Sequence, residues 1–503
     1  MSRVLRFLAA FLIATSCCLS QDLASFEKRV TVKTLPNGLT AIVCQRLGSA
    51  PVFSFFTYVN AGSVQDPMGK TGLAHMFEHE AFKGTEKIGT RDYPAEKIAL
   101  QKVEDTYAAF LYERDKSVGR DEQKLKDLEK AWQDAVKEAQ QYVIPNEFAE
   151  IIERNGGEGM NAFTAMDQTG YFYSFPLNRL ELWAYLESSR YTHPVFREFY
   201  KERNVVSEER RMRIDSSPFG RLLEQFIFAA FAAHPYHRPG VGFPGDLSNF
   251  SATDAQNFFN TYYVPSNMVI AVAGNLDTAQ TMAIIEKYFS VIPAHDKPDE
   301  RTTAEPPQNS ERRVYLHEQS QPVYIEGYHR PDYRDKDDAV YDALANLLSE
   351  GRTSRLYRTL VRDKRIASAA QGGTGFPGVK YPHLFYFAAL PMPGHKPEEI
   401  ADAIHAEIDR LKKEDIGDDE LKMVRTRTKA NLIRSLDSNQ GLAQNLASFQ
   451  TLYGDWRELF RSVDRINAVS KADIRGVANE VFVPTNRTVG VIENVSGAGG
   501  GAQ

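Results

Sequence analysis

Cysteine is almost missing from this chain: 3 in 503 residues, with Cys17 and Cys18 both inside the first twenty positions. If that stretch is removed on export, Cys44 stands alone and no disulfide framework is available. It sits in the strand-like run Leu39–Gln45 and reads as a small core residue. Long apolar runs are missing too. The candidate nearest the start, Phe7–Thr15, is shorter than the roughly 20 residues that span a bilayer. It follows Arg3 and Arg6 and leads through small residues to Ser20-Gln21, which reads as a secretory signal peptide over residues 1–20. A periplasmic or secreted protein follows, with lipid attachment at Cys17 as the alternative and no integral membrane segment in the mature chain. A dominant charge sign is also lacking. The net charge of −6 is too mild to argue for nucleic acid or an anionic membrane.

What is present is ordinary globular composition, 42% apolar and 11% aromatic, in a chain too long for one core of about 250–300 residues. Thr71–Thr85 (TGLAHMFEHEAFKGT) holds a His-x-x-Glu-His arrangement. On a helix His75 and His79 are one turn apart and leave the same face, as two imidazole ligands of one metal must. Glu78 shares that face and can reach a metal-bound water.

Upstream, Pro36-Asn37-Gly38 between apolar runs predicts a hairpin, and Val52–Asn60 a third strand. Between about 95 and 147 two helical stripes, Val103 to Leu111 and Leu125 to Ala139, predict an inserted charged helical hairpin. Its roles remain open among partner-docking arm, lid and solvated decoration. Gly156-Gly157 mark a turn before Asn161-Ala162-Phe163-Thr164 and a strand over Thr169–Phe175. Helices are predicted over Asn178–Leu186, with Asn178 as N-cap, and over Glu198–Arg213. Residues 293–312, rich in proline and charge, have linker composition. Each half closes with Val-Pro-x-Asn before a buried strand, at Val264–Asn267 and Val483–Asn486, which suggests an internal duplication. The expected organisation is therefore signal peptide 1–20, metal-binding half 21–292, linker 293–312, second half 313–495 and a disordered tail 496–503.

Three acidic residues in Tyr200–Arg213 compete to be a third ligand. Glu202, Val205, Glu209 and Met212 form one helical stripe, from which Glu208 is displaced. A carboxylate within an apolar stripe is costly unless it meets a cation. This favours Glu209 as ligand, with Glu202 two turns earlier to hydrogen-bond a liganding histidine or organise the water.

Taken together, these motifs resemble the pitrilysin, insulin-degrading enzyme and mitochondrial processing peptidase family of inverzincin zinc metallopeptidases. The likeness runs from about Arg29 to Ile492 and includes GLAHMFEH, FKGT, NAFT, ERNVVSEE, HPYHRPGVG, YYVPSNMVIAVAGNLD and SEGRTSRLY. It implies an α+β fold of two homologous domains, each an antiparallel sheet packed with helices, enclosing a peptide chamber. It implies one Zn2+ per chain on His75, His79 and Glu209, with Glu78 as general base and Glu202 supporting catalysis. Asn161, Ala162, Phe163 and Thr164 match the edge strand on which substrate adds as a β-strand. Two departures stand out. His79 and Glu209 are 130 positions apart (209 − 79), wider than the family's spacing by about the hairpin's length. The second-half Arg/Tyr pair that binds substrate is matched at Arg362, but the tyrosine position is Ala369, whose methyl group cannot donate to a developing oxyanion. The resemblance therefore implies a zinc endopeptidase acting on peptides and unfolded polypeptides as a hetero- or homodimer with a related chain. The alternative is a non-catalytic scaffold or peptide-binding subunit.

Overall fold

The computed structural model describes residues 23–495; the expected signal segment with Cys17, and the tail from 496, lie outside the described residues. A six-stranded sheet is built from β1 (Val30–Thr34), β2 (Thr40–Gln45), β3 (Val52–Val59), β4 (Glu158–Thr164), β5 (Thr169–Pro176) and β6 (Met268–Gly274) in the order β1-β2-β6-β3-β5-β4. A five-stranded sheet follows from β7 (Arg312–Glu318), β8 (Val323–Arg330), β9 (Ala367–Phe376), β10 (His383–Pro391) and β11 (Arg487–Asn494) in the order β7-β11-β8-β10-β9.

The two orders are one pattern used twice. β2-β6-β3-β5-β4 matches β7-β11-β8-β10-β9, and β1 is the extra strand of the first sheet. The expectation of antiparallel sheets holds for every ladder except one in each: β6 runs parallel to β2, and β11 parallel to β7. Both parallel strands return through a helix, and parallel neighbours need such a crossover. The Val-Pro-x-Asn phrases occupy equivalent places. Asn267 Nδ2 donates to Tyr262 O and Asn60 O (2.9 and 3.2 Å), and Asn486 Nδ2 to Val481 O and His329 O (3.1 and 2.8 Å). Each asparagine thus ties the end of a helix to the neighbouring strand. Both of those helices, Ala252–Tyr262 and Lys471–Val481, open with a Ser/Asp capping box.

Each half lends a helix to the other's sheet. Leu442, Leu446 and Trp456 pack on Ile42, Phe56 and Ala271 of the first sheet, while Leu222 and Phe226 pack on Ile325, Leu384 and Ile492 of the second. β3 is consequently buried on both faces after its first residue, which is why Val52–Val59 reads as a continuous apolar run rather than an alternating one. Cys44 lies in the first of these clusters as a free, buried thiol, pushed up to about 11 by burial.

Several local expectations change. The helix expected over Asn178–Leu186 is a 3-10 turn, Leu177–Arg179, followed by the α-helix Leu180–Thr192, whose N-cap residue is Arg179 rather than Asn178. β9 was not anticipated, because its Ala, Gly and Ser residues carry no strand propensity; its partner β10 supplies the apolar side chains. The inserted hairpin forms as Tyr93–Arg114 and Glu122–Gln140 and is docked rather than free. Tyr107 packs tilted and Trp132 edge-on against Tyr200, and Arg203 lies over all three rings. The linker-like stretch has no helix or strand between 293 and 311 but is anchored: Glu305 accepts from the backbone N–H groups of Ala232, Ala233 and His234 (2.8, 2.9 and 2.9 Å).

Candidate metal centre

The motif helix spans Leu73–Glu80. Its start is held from outside the helix. The buried carboxylate of Asp66 accepts from Gly72 N and Ala74 N (2.7 and 2.8 Å), two of the amides a helix N-terminus leaves unpaired. Gly72 has φ of 92° and its Cα faces the chain at Val241, where an added Cβ would sit 2.6 Å from the carbonyl oxygen. Only glycine serves there. Leu73, Ala74, Met76 and Phe77 face the core, so His75, Glu78 and His79 emerge on the opposite side beside the edge strand β4.

The helix Phe199–Arg210 delivers the acids. Glu209 Oε2 lies 3.7 Å from His75 Nε2 and 3.6 Å from His79 Nε2. These separations are too long for hydrogen bonds, yet near the edge of about 3.3 Å expected between ligands bound at 2.0–2.1 Å on a tetrahedral ion. All three donors lie within 4.8 Å of one another. Two imidazoles and one carboxylate are the donor types that catalytic zinc sites use. His75 Nδ1 is buried without a partner, and burial, reinforced by His79 and Arg213, lowers its pKa to about 3. It is therefore neutral and ready to ligate. The residues present fit a zinc ion.

Around this cluster the partners are specific. Glu202 Oε2 lies 3.4 Å from His79 Nδ1, and its other oxygen accepts from Lys83 Nζ. Burial works to raise the Glu202 pKa, but these two hydrogen bonds outweigh it and bring the value to about 2. A carboxylate behind a histidine fixes which nitrogen faces forward. Thr164 Oγ1 donates to Glu78 Oε2 at 2.6 Å, and burial raises the Glu78 pKa despite that bond. One cleft of about 620 Å³ contains His75, Glu78, His79 and Glu209 together with Asn161–Thr164. β4 is the outermost strand of its sheet, so one side of its backbone lacks a strand partner.

Some expectations arrive differently. The stripe used to choose Glu209 is not an apolar buried stripe: Val205 and Met212 are 46% and 68% exposed, and the buried positions of the helix are Phe199, Tyr200, Arg203, Val206 and Arg210. Glu209 meets the histidines because its helix packs against the motif helix, not because its apolar neighbours are interior. The helix also ends at Arg210, and 211–215 form a wider turn. Arg362 is exposed, pairs with its neighbour Asp363 at 2.6 Å, and is not among the residues of the 620 Å³ cleft. Ala369 lies on β9, the edge strand equivalent to β4, beside a smaller apolar pocket that shares Ser217 and Phe219 with the cleft. Sequence reasoning missed Lys83, Asp66 and Arg197. Only Lys83 lay inside a recognised motif, FKGT.

The fold is thus a duplicated α/β architecture that carries one candidate metal donor set. Residues 42–101, containing His75, Glu78 and His79, match the family model described as Insulinase (Peptidase family M16). Residues 249–428, containing Ala369, match that of the Peptidase M16 inactive domain. The chain belongs to peptidase family M16. It is 29% identical over 463 residues to a zinc protease, PqqE, of Helicobacter pylori, covering 90% of each chain. It is 22% identical over 484 residues to the probable mitochondrial-processing peptidase subunit beta of Arabidopsis thaliana, covering 93% of this chain and 79% of that one. The crystal structure of a protease from Helicobacter pylori superposes with a TM-score of 0.76 at 28% identity, covering 92% of this chain and 99% of that chain. Among the described residues no helix is long and apolar enough to cross a membrane.

Proposed function

We propose that this chain is the zinc-bearing member of an endopeptidase that cuts peptides and unfolded polypeptides, and that it works with a related chain. The observation that carries this reading is the convergence of His75 Nε2, His79 Nε2 and Glu209 Oε2 beside a Glu78 hydrogen-bonded to the edge strand. His75, His79 and Glu209 would hold the zinc, which when bound polarises a carbonyl and lowers the pKa of a water. Glu78, the general base, takes a proton from the attacking water and returns it to the leaving amine. Asn161–Thr164 receive the substrate backbone as an added strand, which selects extended chains rather than folded ones. Glu202 holds the His79 ring in place. The chain divides at about 293–312 into two related halves around the peptide chamber, and a periplasmic or secreted location suits residues 1–20.

Ala369 supports the need for a partner, and Arg362 is the residue left on this chain for substrate contact. Losing one oxyanion donor costs about 10²–10³ in rate. The purified chain is therefore expected to bind one zinc and cleave an unfolded peptide slowly. A related chain carrying the Arg/Tyr pair should raise the rate by about that factor. Metal analysis with peptide-cleavage assays, alone and mixed, tests this: full activity alone overturns the partner requirement, and a chain without zinc overturns the whole reading. The non-catalytic alternative predicts zinc without turnover in either assay.

Thr164→Val gives a pH test. A hydrogen bond to the ionised carboxylate favours that form and lowers its pKa. Removing it should move the acid limb of kcat/KM upward, because the ionised carboxylate loses a donor that favours it. A pH profile superimposable on that of the wild type would contradict the proposed role of Glu78.

A further inference from the structure

The Glu209 carboxylate is used unequally. Oε2 faces the two imidazoles at 3.7 and 3.6 Å, while Oε1 forms an ion pair with Arg213 Nη1 at 2.7 Å. We infer that Arg213 is a positioning residue that holds Glu209 as a one-oxygen ligand, keeping a coordination position open for water or substrate; this rests on the zinc reading above. A carboxylate with both oxygens free can bind through one or both. With one oxygen held by a guanidinium, only the other remains for the metal.

The backbone is built to deliver this contact. After Arg210 the chain leaves α-helical winding, and Ser216 N bonds Arg211 O at 2.8 Å, five residues back. Widened turns of this kind occur often at functional sites. The last helical residue is tied down, Arg210 donating to Gly242 O at 2.7 Å and to Glu224 at 2.9 Å. On the other side Gly220 presses against the turn. An added Cβ would fall 2.1 Å from Arg213 O and 2.9 Å from the Ile214 Cα. Arg213 lines the same cleft as Glu78 and Glu209. Its side chain is 67% exposed against 16% for Glu209, so the pair contributes little to fold stability. Its effect belongs in metal affinity and coordination.

The test is zinc competition against a chromophoric chelator with the full chain, comparing wild type, R213M, R213K and E209Q, together with zinc K-edge absorption. Losing a partner that orients a metal ligand typically costs 10–100-fold in affinity. R213M should weaken zinc binding by about that factor, and the absorption spectrum should gain a second, longer oxygen distance. R213K, which retains a donor, should recover most of the affinity. G220A should shift affinity in the same direction as R213M by displacing the turn. An R213M protein with affinity within about twofold of wild type and an unchanged spectrum overturns the inference, provided E209Q is weakened. If the wild type itself binds no zinc, the metal reading fails instead. Circular dichroism of the apo variants separates these outcomes from misfolding.

Discussion

Glu78→Gln is expected to keep zinc at wild-type stoichiometry while peptide hydrolysis falls by about 10²–10⁴ in kcat, the usual contribution of a positioned general base. Glutamine preserves the shape of the side chain and leaves an amide oxygen to accept from Thr164 Oγ1, now 2.6 Å from Glu78 Oε2. Neither His75, His79 nor Glu209 is touched by the change. What disappears is the capacity to take and return a proton. The opposite pattern distinguishes a ligand from a base: His79→Ala should lose metal and activity together. Metal analysis beside single-turnover cleavage reads both. An E78Q protein that still turns over peptide at more than a tenth of the wild-type rate would remove Glu78 from the mechanism.

The second large effect lies behind the site, at Arg197. Its guanidinium makes two bonds to Glu96 (2.8 and 3.0 Å) and donates to the carbonyls of Lys83, Thr85 and Ile88 (2.7, 2.8 and 2.9 Å). Both partners of the ion pair are buried, at 1% and 0% side-chain exposure. Arg197→Met therefore strands a buried carboxylate and the carbonyl oxygens of Lys83 and Thr85, while Ile88 O keeps the Thr85 N–H at 2.9 Å. Breaking one side of a buried pair costs about 3–5 kcal/mol. The segment it holds follows directly on the motif helix and contains Lys83, which bonds Glu202 behind His79. Zinc affinity should therefore weaken along with stability. Adding Glu96→Leu should recover part of the loss, because the unpaired charge is then gone, but not all of it, because the carbonyls still lack donors. Denaturant unfolding of the single and double variants checks this. An R197M chain within 1 kcal/mol of wild type would show that the segment holds itself.

How much was legible beforehand depends on how far apart the cooperating atoms lie in sequence. His75, Glu78 and His79 fall within five positions, and helical geometry alone puts them on one face. The Pro36-Asn37-Gly38 turn and the two Val-Pro-x-Asn phrases are likewise local, and the register Thr34↔Thr40 and the matched strand orders agree with them. β9 was missed because a strand of small residues owes its state to its neighbour. The Val205 and Met212 stripe misled because helical period identifies residues that share a face without telling whether that face is inside.

By itself, then, the sequence determined the motif helix, the duplication and the residue types available to a metal. Tertiary structure decided which acid meets the histidines across 130 positions (209 − 79), that each sheet carries one parallel pair, and that each half lends a helix to the other's sheet. It also put Arg197 behind the motif and Arg213 against Glu209, and it left Arg362 out in solvent beside Asp363. The physical reason is range. Dihedral preference and periodicity act over a few residues, whereas desolvated ion pairs and shared ligands exist only once distant segments have packed.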